Sequence, residues 1–505
     1  MTFVISFVVY TLLIIAIGIV SSRYQQKTDE DYFLAGRKLG PVLAALSASA
    51  SSESGWVTLG LVGWAFQRGM TAYWILPGVL LGFIFNWFVL AGRMREHSER
   101  VGALTIPDVF SRSFKERVPI LRILCVLVIL TAMWLYIAAQ FAAAGKTFSA
   151  VFTNLDYIWG VVIGAGVVLA YTVIGGFRAA CWTDFAQAIV MVGTLAIFPA
   201  YLLITNGGYG FITERLHSID PGLTTMWPNK TGPALIGFLL GSGALGINFG
   251  FPGQPHVLVR FMALRDKKDA YISGVVAFVW AALVLWGAVT IGLIVRAMVI
   301  GAPADGADQW IVTLQTQLAE GGSDAGETGL VLAAQNLLPG VLSGMVLAAV
   351  LSAICSTADS QLVVAASAGA HDIYSRLFDR SNRTTHLLIN RTVLLVLGVG
   401  AMLVVLDREV SIYRFVLTYG WAILGASFGP QLILLLLWKR ASYCGCVAGM
   451  VTGFAVAIIW PNVYTPGPED PEVYNLPLAF ICALVVNAFV SVLTPGRERN
   501  AHVEH

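Results

Sequence analysis

The chain has 505 residues, of which 57% are hydrophobic and only 12% charged, and its mean hydropathy is +0.76. This balance excludes a soluble globular domain, because apolar runs of membrane-spanning length recur from one end to the other. A formal net charge of +2 gives no indication of nucleic-acid binding. We therefore predict an all-α polytopic membrane protein surrounded by the lipid bilayer, with no nucleic-acid partner and no obligatory protein partner.

The apolar runs predict thirteen transmembrane helices. We place these spans near residues 3–22, 41–66, 71–92, 122–145, 157–175, 183–204, 233–256, 271–295, 330–370, 386–405, 413–437, 443–461 and 474–494. The ninth span is too long for one straight helix across a bilayer. We therefore expect a bend within it or a membrane-surface helix before it.

Lysine and arginine predict the orientation of these helices, since they accumulate in cytoplasmic loops. With the N-terminus outside the cell, the inner loops carry most of the 31 basic residues. The opposite orientation reverses this bias. We therefore predict a multi-pass protein of the cell (cytoplasmic) membrane, with its N-terminus outside and its C-terminus in the cytoplasm.

A polar decamer, Ser47 to Trp56 (SASASSESGW), interrupts the second span. Polar groups at this depth are costly unless they face a cavity or other protein. An irregular backbone there frees carbonyl oxygens, which suit Na+. The alternative is a polar contact between helices, with the serines as small packing residues. Glu53 could coordinate an ion, carry a proton, or point to the inner water and leave only its carbonyl in the site.

A second interruption lies in the seventh span, from Gly246 to His256, where three glycines and two prolines prevent a regular helix. The two breaks are five spans apart, so the helices that carry them cross in opposite directions. This spacing predicts a five-plus-five inverted repeat, spans 2–6 against spans 7–11, with a broken first helix in each repeat and a site between them. Two Gly-rich kinks without a repeat are the alternative.

The predicted repeats divide the chain into four parts. Residues 1–40 hold the first transmembrane helix and an inner loop, and residues 41–204 form the first repeat. Residues 233–437 form the second repeat, and residues 438–505 hold spans 12 and 13 and a cytoplasmic tail.

The ninth span carries hydroxyl groups on one face. Ala353, Ser356, Thr357 and Ser360 share this face by their i, i+3, i+4 and i+7 spacing. Together with free carbonyls of a broken helix opposite, these hydroxyls form a cage of hard oxygen ligands that suits Na+. The alternative is hydrogen bonding to the carbonyl one turn back, or helix packing.

Two acidic residues accompany these hydroxyls. Asp359 lies on the same strip of the ninth span, and Asp184 is predicted to start the sixth span. The carboxylate of each could face the path along which a cation crosses the protein. Alternatively, Asp184 is an interfacial residue that is favoured by the helix dipole, and Asp359 pairs with an inner-loop arginine.

Six segments carry a resemblance to a known family. They are Asp31–Arg37 (DYFLAGR), Ser51–Trp56 (SSESGW), Gly175–Phe177, Trp182–Asp184, Gly253–Ala263 (GQPHVLVRFMA) and Ser356–Leu362 (STADSQL). With these segments the chain resembles the sodium/solute symporter family over nearly its whole length, and within it most closely the bacterial sodium/proline symporters. The resemblance implies a five-plus-five inverted repeat with flanking helices 1, 12 and 13.

The resemblance also implies functional residues. The main Na+ site would use the carbonyls of Ala50, Glu53 and Ala353 and the hydroxyls of Ser356 and Thr357. A second Na+ site, found in some members, would map to Asp184, Ser356, Asp359 and Ser360. Arg37 matches a position important for Na+-dependent transport. The solute would bind near Ser54, Gly55, Trp56, Tyr136, Phe251, Gln254 and Pro255.

The chain differs from proline symporters at four positions in or next to these sites. They have an aspartate and then a methionine where this chain has Ser52 and Glu53, so the acid has moved by about 100° around a helix. They also have a tryptophan and a tyrosine in place of Ile247 and Phe251. Both packing and hydrogen bonding around the solute therefore change.

These features predict a Na+-coupled secondary active symporter that imports a small organic solute, with proline or a related amino acid favoured. Na+ is then a co-transported ion. The alternatives are H+ coupling through Glu53, and Na+-coupled uptake of a carboxylate or a vitamin. A solute-sensing membrane module and a membrane enzyme are disfavoured, because neither an output domain nor a catalytic motif is apparent.

Overall fold

The computed structural model describes residues 2–23, 28–116, 118–152, 154–173, 176–228, 230–301, 307–322, 324–375, 383–407, 410–464 and 473–494. Its α-helices are α1 (Thr2–Arg23), α2 (Asp29–Leu34), α3 (Pro41–Ser52), α4 (Val62–Arg68), α5 (Ile75–Ile84), α6 (Gly92–Arg100), α7 (Ile106–Ser113), α8 (Ile120–Val151), α9 (Tyr157–Thr172), α10 (Phe177–Thr205), α11 (Gly208–His217), α12 (Gly232–Leu239), α13 (Pro255–Met262), α14 (Asp269–Gly301), α15 (Gln309–Ala319), α16 (Gly329–Leu337), α17 (Gly340–Ser367), α18 (Arg383–Val405), α19 (Ile412–Phe415), α20 (Ala422–Leu437), α21 (Tyr443–Val463) and α22 (Asn475–Leu493).

Shorter helical segments join several of these helices. Four are π-helical, at Trp56–Leu61, Phe85–Ala91, Ala368–Ser375 and Val416–Trp421. Four are 3-10 turns, at Ala35–Arg37, Gly69–Trp74, Pro221–Thr224 and Leu245–Gly253. The chain is thus helical through most of its described part, and the predicted all-α class is confirmed.

Ten helices in the described ranges are long and apolar enough to cross a membrane. One of them, Trp56–Arg100, is 45 residues long and contains the 3-10 turn Gly69–Trp74. The helix α9 is apolar but shorter. Many of their exposed side chains are large and hydrophobic, as expected for surfaces that face lipid. The protein is therefore a multi-pass membrane protein.

The break in the second span is shorter than the polar decamer that predicted it. The helix α3 continues through Ser52, and the regular backbone stops only at Glu53, which has φ −97° and ψ 75°. The indole of Trp56 then donates a hydrogen bond to the carbonyl of Ser52 at 3.0 Å. The prediction of an irregular decamer was therefore wrong in extent: the hydroxyls of Ser47 and Ser51 bond to Asp184 on α10, and that of Ser52 bonds to the carbonyl of Ser49 in its own helix, so the backbone stays helical.

The break in the seventh span is longer than predicted. The helix α12 ends at Leu239, the 3-10 turn Leu245–Gly253 follows, and α13 extends to Met262, beyond the predicted end at residue 256. A side chain at Gly246 would overlap the carbonyl oxygen of Leu240. The chain therefore needs glycine at this position to turn back so closely on itself.

The ninth span has the extra helix that its length suggested. The helix α16 precedes α17, and Pro339 precedes the first residue of α17. Almost all of α17 after Ser343 is buried, where it packs against α1, α3, α8 and α10. The helix with the hydroxyl face therefore runs through the centre of the protein.

The loops gather at two opposite ends. At one end Leu39 pairs with Leu264, and the amide of Arg265 donates to the carbonyl of Leu39 at 3.0 Å. At the other end Lys146 contacts both Asp324 and Glu327. We call these the Leu39 end and the Glu327 end. Each end brings together loops that the orientation prediction assigns to the same side of the membrane.

Candidate ion and solute site

The contact between α3 and α17 is built from hydroxyls and main-chain carbonyls. The Ser356 hydroxyl donates to the carbonyl of Ala50 at 3.0 Å and lies 3.3 Å from the carbonyl of Ala353. The Thr357 hydroxyl donates to the carbonyl of Ser51 at 3.1 Å. All five residues are buried. Four of the five predicted main-site residues therefore converge on one oxygen-rich point.

The fifth residue, Glu53, lies where α3 ends. Its amide donates to the carbonyl of Ser49 at 2.9 Å, which closes the last turn of the helix. Its side chain is fully buried, and neither carboxylate oxygen has a hydrogen-bond partner in the described part of the chain. Of the three roles open to Glu53, pointing to inner water is excluded by this burial.

The proposed second ion set contains a positive charge of its own. Arg260 pairs with Asp184 at 2.8 Å, and the same guanidinium donates to the hydroxyls of Ser47 at 3.1 Å and Ser360. Ser47 and Ser51 also donate to Asp184, at 2.7 and 3.2 Å. A guanidinium thus occupies the position beside Asp184 and Ser360 where the resemblance implies a cation.

The two predicted acids lie in different surroundings. The helix α10 begins at Phe177, so Asp184 lies two turns inside it and is fully buried. The expectation that Asp184 starts the sixth span was therefore wrong. Asp359 instead borders a small cavity together with Gly18, Thr172 and Thr183.

The first break leads directly into the predicted solute region. The Ser54 hydroxyl lies 3.5 Å from the Tyr136 hydroxyl and accepts a hydrogen bond from Gln140 at 3.3 Å. The side-chain carbonyl of Gln140 in turn accepts from the amide of Gly55 at 3.1 Å. The amide of Gln140 thus fixes the unwound backbone, while Tyr136 reaches the first residue beyond Glu53.

The second break packs against α20 and the π-helical turn that precedes it. The amide of Gln254 donates to the carbonyls of Gly250 and Trp421, at 3.0 and 3.2 Å. The ring of Phe251 packs edge-on against Trp421 at 4.8 Å. Pro255 begins α13, where a missing amide hydrogen costs nothing. The side chains of this break are therefore held by α20 and the π-helical turn before it.

Tyr136 stands between the two breaks. Its ring lies edge-on to the His256 ring, with the two ring centroids 6.2 Å apart, while its hydroxyl lies near that of Ser54. A side chain at Gly420 would come within 2.7 Å of the same ring. Tyr136 therefore contacts Ser54 at the first break and lies beside His256, which directly follows Pro255 at the second break.

Arg37 closes the Leu39 end. Its guanidinium bonds to Glu30 at 2.8 Å, to the carbonyls of Ala103 and Met262 at 2.7 and 3.0 Å, and to the hydroxyl of Ser98 at 2.9 Å. Arg37 itself has a left-handed backbone, with φ 51°. Such a conformation is unfavourable for a residue with a side chain, so these contacts must hold it in place.

A second ionic network closes the same end. Arg122 bonds to Asp108 at 2.8 Å and to Asp372 at 2.6 Å, and His371 lies 3.4 Å from Asp108. Burial by itself would raise the pKa of Asp108, but the hydrogen bond and charge of His371 and the charges of Arg112 and Arg122 hold it well below its ordinary value. This network ties the end of the α17 helix to α7 and α8.

The Glu327 end holds a large cavity instead. It has a volume of about 710 Å³ and is lined by Trp64, Arg68, Lys230, Arg414 and Trp460, among others. At its wall the ring of Trp64 stacks on Tyr413 at 4.7 Å, and Arg68 lies over the same indole at 4.7 Å. None of the predicted solute residues lines this cavity, so it lies between the Glu327 end and the predicted site without including that site.

Four residues of this region were missed by sequence reasoning. Gln140 and Arg260 could have been found, since each is a polar side chain within an apolar run. His256 was given no role, although it ends the predicted second interruption. Nothing in the sequence distinguishes Trp421, whose role depends on where α20 lies relative to the second break.

Structural comparison defines the class of protein first. The fold matches that of a Na+-coupled sialic acid symporter in a substrate-bound, outward-open state, with a TM-score of 0.76, 18% identity and 99% coverage of both chains. The structure of MhsT in complex with L-phenylalanine matches less closely, with a TM-score of 0.52, 15% identity, and 90% of this chain and 98% of that chain covered. The chain thus has the fold of a Na+-coupled symporter.

Sequence comparison then gives the family. The sequence model of the sodium:solute symporter family matches residues 32–453, and the chain belongs to this family. It is 34% identical to a high-affinity proline transporter of Bacillus subtilis over 92% of each chain. It is also 32% identical to a sodium/proline symporter of Staphylococcus aureus, over 97% of this chain and 92% of that one. The protein is a transporter rather than an enzyme, and Na+ is the ion that it co-transports.

Proposed function

We propose that the protein imports proline, or a closely related amino acid, in symport with Na+. The relatives named above are a proline transporter and a sodium/proline symporter, and they match more than nine-tenths of this chain. The observation that carries the ion part of the proposal is the direct bonding of Ser356 and Thr357 to main-chain carbonyls of α3. It joins a broken helix to a hydroxyl-bearing helix at one buried point.

In this proposal the main Na+ ion binds among those oxygens. Its ligands are the carbonyls of Ala50, Glu53 and Ala353 and the hydroxyls of Ser356 and Thr357. Hard cations favour such oxygen ligands, and unwound backbone in a membrane protein supplies them. The ion takes the place of the direct hydroxyl–carbonyl bonds and holds α3 and α17 together.

The solute binds beyond the ion, between the two breaks. Its proposed contacts are Ser54, Gly55, Trp56, Tyr136, Phe251, Gln254 and Pro255. Because Ser54 follows Glu53 directly, an ion that orders the end of α3 also orders the solute site. This is a coupling free energy between ion and solute, and it acts equally in both directions. A membrane potential of about 100 mV adds about 2.3 kcal/mol for each charge moved inward.

A second Na+ ion requires an additional change. The proposed set is Asp184, Ser356, Asp359 and Ser360, and Arg260 already neutralises Asp184. Two cations at one carboxylate repel each other. We therefore propose that this set binds an ion only in a conformation in which the pair of Arg260 and Asp184 is open.

The proposed topology has thirteen spans and two inverted repeats. The ten long helices supply most of these spans, α9 is another, and the broken element formed by α12 and α13 is another. The left-handed Gly69, at the end of α4, separates the second span from the third. The proposed parts are residues 1–40, 41–204, 233–437 and 438–505.

The proposed orientation puts the N-terminus outside and the C-terminus in the cytoplasm. The Leu39 end, rich in basic loops, is then cytoplasmic, and the cavity at the Glu327 end opens outward. In this arrangement Arg37 is a coupling residue, because its bonds must open before ion and solute can leave inward. No obligatory protein partner is part of the proposal.

Radiolabelled L-proline uptake into proteoliposomes tests the function. An inward Na+ gradient with an inside-negative potential should drive accumulation above the equilibrium level, and replacement of Na+ by K+ should abolish it. A pH series at fixed Na+ separates H+ coupling from Na+ coupling. Equal uptake with and without Na+ would refute the proposal, and competition by other amino acids defines the preferred solute.

A further inference from the structure

A side-chain amide is bound to the unwound segment that follows Glu53. Gln140 on α8 is fully buried, and its side-chain carbonyl oxygen accepts a hydrogen bond from the main-chain amide of Gly55 at 3.1 Å. Its NH2 group donates to the hydroxyl of Ser54 at 3.3 Å. A Cβ atom at Gly55 would lie 3.2 Å from the same carbonyl oxygen, so the glycine lets α8 approach the break this closely. Gln140 therefore bonds to two successive residues of the proposed solute region.

The main-chain amide of Gly55 determines which way round the Gln140 amide lies. A backbone N–H group can only donate a hydrogen bond, so the atom that faces it must be the side-chain carbonyl oxygen. The NH2 group of Gln140 must then face Ser54, and an NH2 group of this kind can only donate. The Ser54 hydroxyl therefore has to act as the acceptor in its bond with Gln140.

The Ser54 hydroxyl accepts a second hydrogen bond, from the main-chain amide of Trp56 at 3.3 Å. A hydroxyl oxygen has two lone pairs and one proton, so both of its acceptor positions are in use. Its proton must then point away from Gln140 and Trp56. The Tyr136 hydroxyl lies 3.5 Å away, whereas ordinary O–H···O bonds measure about 2.7–2.8 Å. Among the described residues, the Ser54 proton thus has only this long contact.

We propose that Gln140 is a positioning residue that makes the Ser54 hydroxyl a hydrogen-bond donor to the solute. This inference rests on the proposed function, in which Ser54 and Tyr136 contact the solute, and it specifies the group that they meet, an oxygen of the amino-acid carboxylate. A hydrogen bond to a charged acceptor is roughly twice as strong as one between neutral groups. Without Gln140 the hydroxyl can turn, and the free energy of ordering it is then subtracted from that of solute binding.

A double-mutant cycle between Ser54 and Gln140 tests the inference. The Kd of radiolabelled L-proline is measured at saturating Na+, in detergent, for the wild type, Ser54→Ala, Gln140→Leu and the double variant. Each single change should raise Kd on the order of 10-fold, as for the loss of a hydrogen bond to a charged group. The double variant should bind less than about 3-fold more weakly than the weaker single variant, because no hydroxyl remains for Gln140 to orient.

The matched control is Gln187→Leu on α10. Gln187 is also a buried glutamine, and its side-chain carbonyl oxygen has no hydrogen-bond partner among the described residues. This control should keep the Kd of the wild type. If Gln140→Leu does not fold, Gln140→Asn takes its place in the cycle, since its shorter side chain cannot reach both partners.

A second probe separates positioning from a merely structural role. L-prolinamide keeps the ring and its nitrogen but replaces the carboxylate by a neutral amide, and its binding is measured by competition against L-proline. Ser54→Ala and Gln140→Leu should each weaken L-proline by about 3-fold more than L-prolinamide, because the bond to the charged acceptor is the stronger one. General damage to the protein would weaken the binding of both probes alike.

Three results overturn the inference. The first is an additive cycle, in which the double variant loses the product of the two single effects, on the order of 100-fold. The second is a Kd in Ser54→Ala equal to that of the wild type, and the third is equal weakening of the two probes.

The failure of the proposed function looks different. In that case the wild type shows no Na+-dependent binding of L-proline, and the inference falls with it. If the wild type binds L-proline with Na+ but the cycle is additive, only the inference fails.

Discussion

Helix α3 contacts its neighbours at two polar levels along its length. Among the described residues, one level is built from neutral groups and the other contains an acid and a base. At Ala50 and Ser51 its carbonyls accept hydrogen bonds from neutral hydroxyls of α17, without a cationic side chain among the described contacts. About one turn earlier, Ser47 contacts Asp184 and Arg260, an acid and a base that neutralise each other. The same serine-rich helix thus serves one level of neutral oxygens, where we propose that Na+ binds, and another level in which an acid and a base are already paired.

The two levels differ in the free energy that it costs to bury their polar groups when no ligand is bound. The neutral hydroxyls and carbonyls of the first level satisfy one another, so this level needs no bound ion to be stable. A buried Asp184 without Arg260 would be an unpaired charge, which membrane proteins avoid. A site for an exchangeable cation therefore needs neutral oxygens that can pair among themselves.

Removal of Arg260 should produce the largest effect. Arg260→Met leaves Asp184 buried without its counter-ion, so the free energy of unfolding should fall by about 3–5 kcal/mol. Combining it with Asp184→Asn removes both charges and should recover more than half of this loss. Thermal unfolding in detergent, at one fixed heating rate, compares the three proteins. An unchanged melting temperature in Arg260→Met would mean that the two levels do not differ as described.

Removal of the two hydroxyls should come next. The double variant Ser356→Ala and Thr357→Ala loses two proposed ion ligands, and the Na+ concentration for half-maximal proline uptake should rise on the order of 100-fold. Maximal uptake at saturating Na+ should change much less. The matched control is Thr147→Ala, which removes a buried hydroxyl that, among the described residues, bonds to the carbonyl of Ala143 in its own helix and not to α3 or α17.

The control should keep the Na+ dependence of the wild type. If the double variant does so as well, the assignment of the ion cage to this contact is wrong.

Removal of Arg37 should have the smallest effect of the three and sharpens the comparison. Arg37 is a buried cation whose partners are mainly neutral carbonyls and a hydroxyl, so it should be less costly to lose than one arm of a buried ion pair. Arg37→Ala should cost about 2 kcal/mol and loosen the Leu39 end. Amide hydrogen exchange of residues 98–104 and 262–265 should become faster.

The matched control for Arg37 is Arg265→Ala. Arg265 lies at the same end, but its pair with Asp269 is exposed, so its loss should cost less than about 1 kcal/mol. Equal hydrogen exchange in the two variants would show that Arg37 does not hold this end closed.

Much of this architecture could be predicted from residue patterns. The polar stretch at Ser47 and the glycines and prolines after Gly246 locate both breaks, because such residues are incompatible with an uninterrupted lipid-facing helix. The one-face spacing of Ser356 and Thr357 correctly predicts that their hydroxyls lie together. The extent of each break was not predictable, since it depends on which neighbours satisfy the freed groups.

The solute region was only partly predictable. Ser54 and Tyr136 were found through the resemblance to a family, and they do meet. Trp421 was not found, because a tryptophan in an apolar run is ordinary and only the position of α20 brings it against Phe251.

The sequence by itself determined that this is a multi-pass helical membrane protein with two interrupted helices and a hydroxyl-bearing third, since hydropathy and helix-breaking residues act locally. Only the tertiary structure decided how charge is distributed around them. It paired Arg260 with Asp184 and buried the side chain of Glu53 without a hydrogen-bond partner among the described residues. Whether a buried charge is compensated depends on distances between helices far apart in the chain, and no local pattern records those distances.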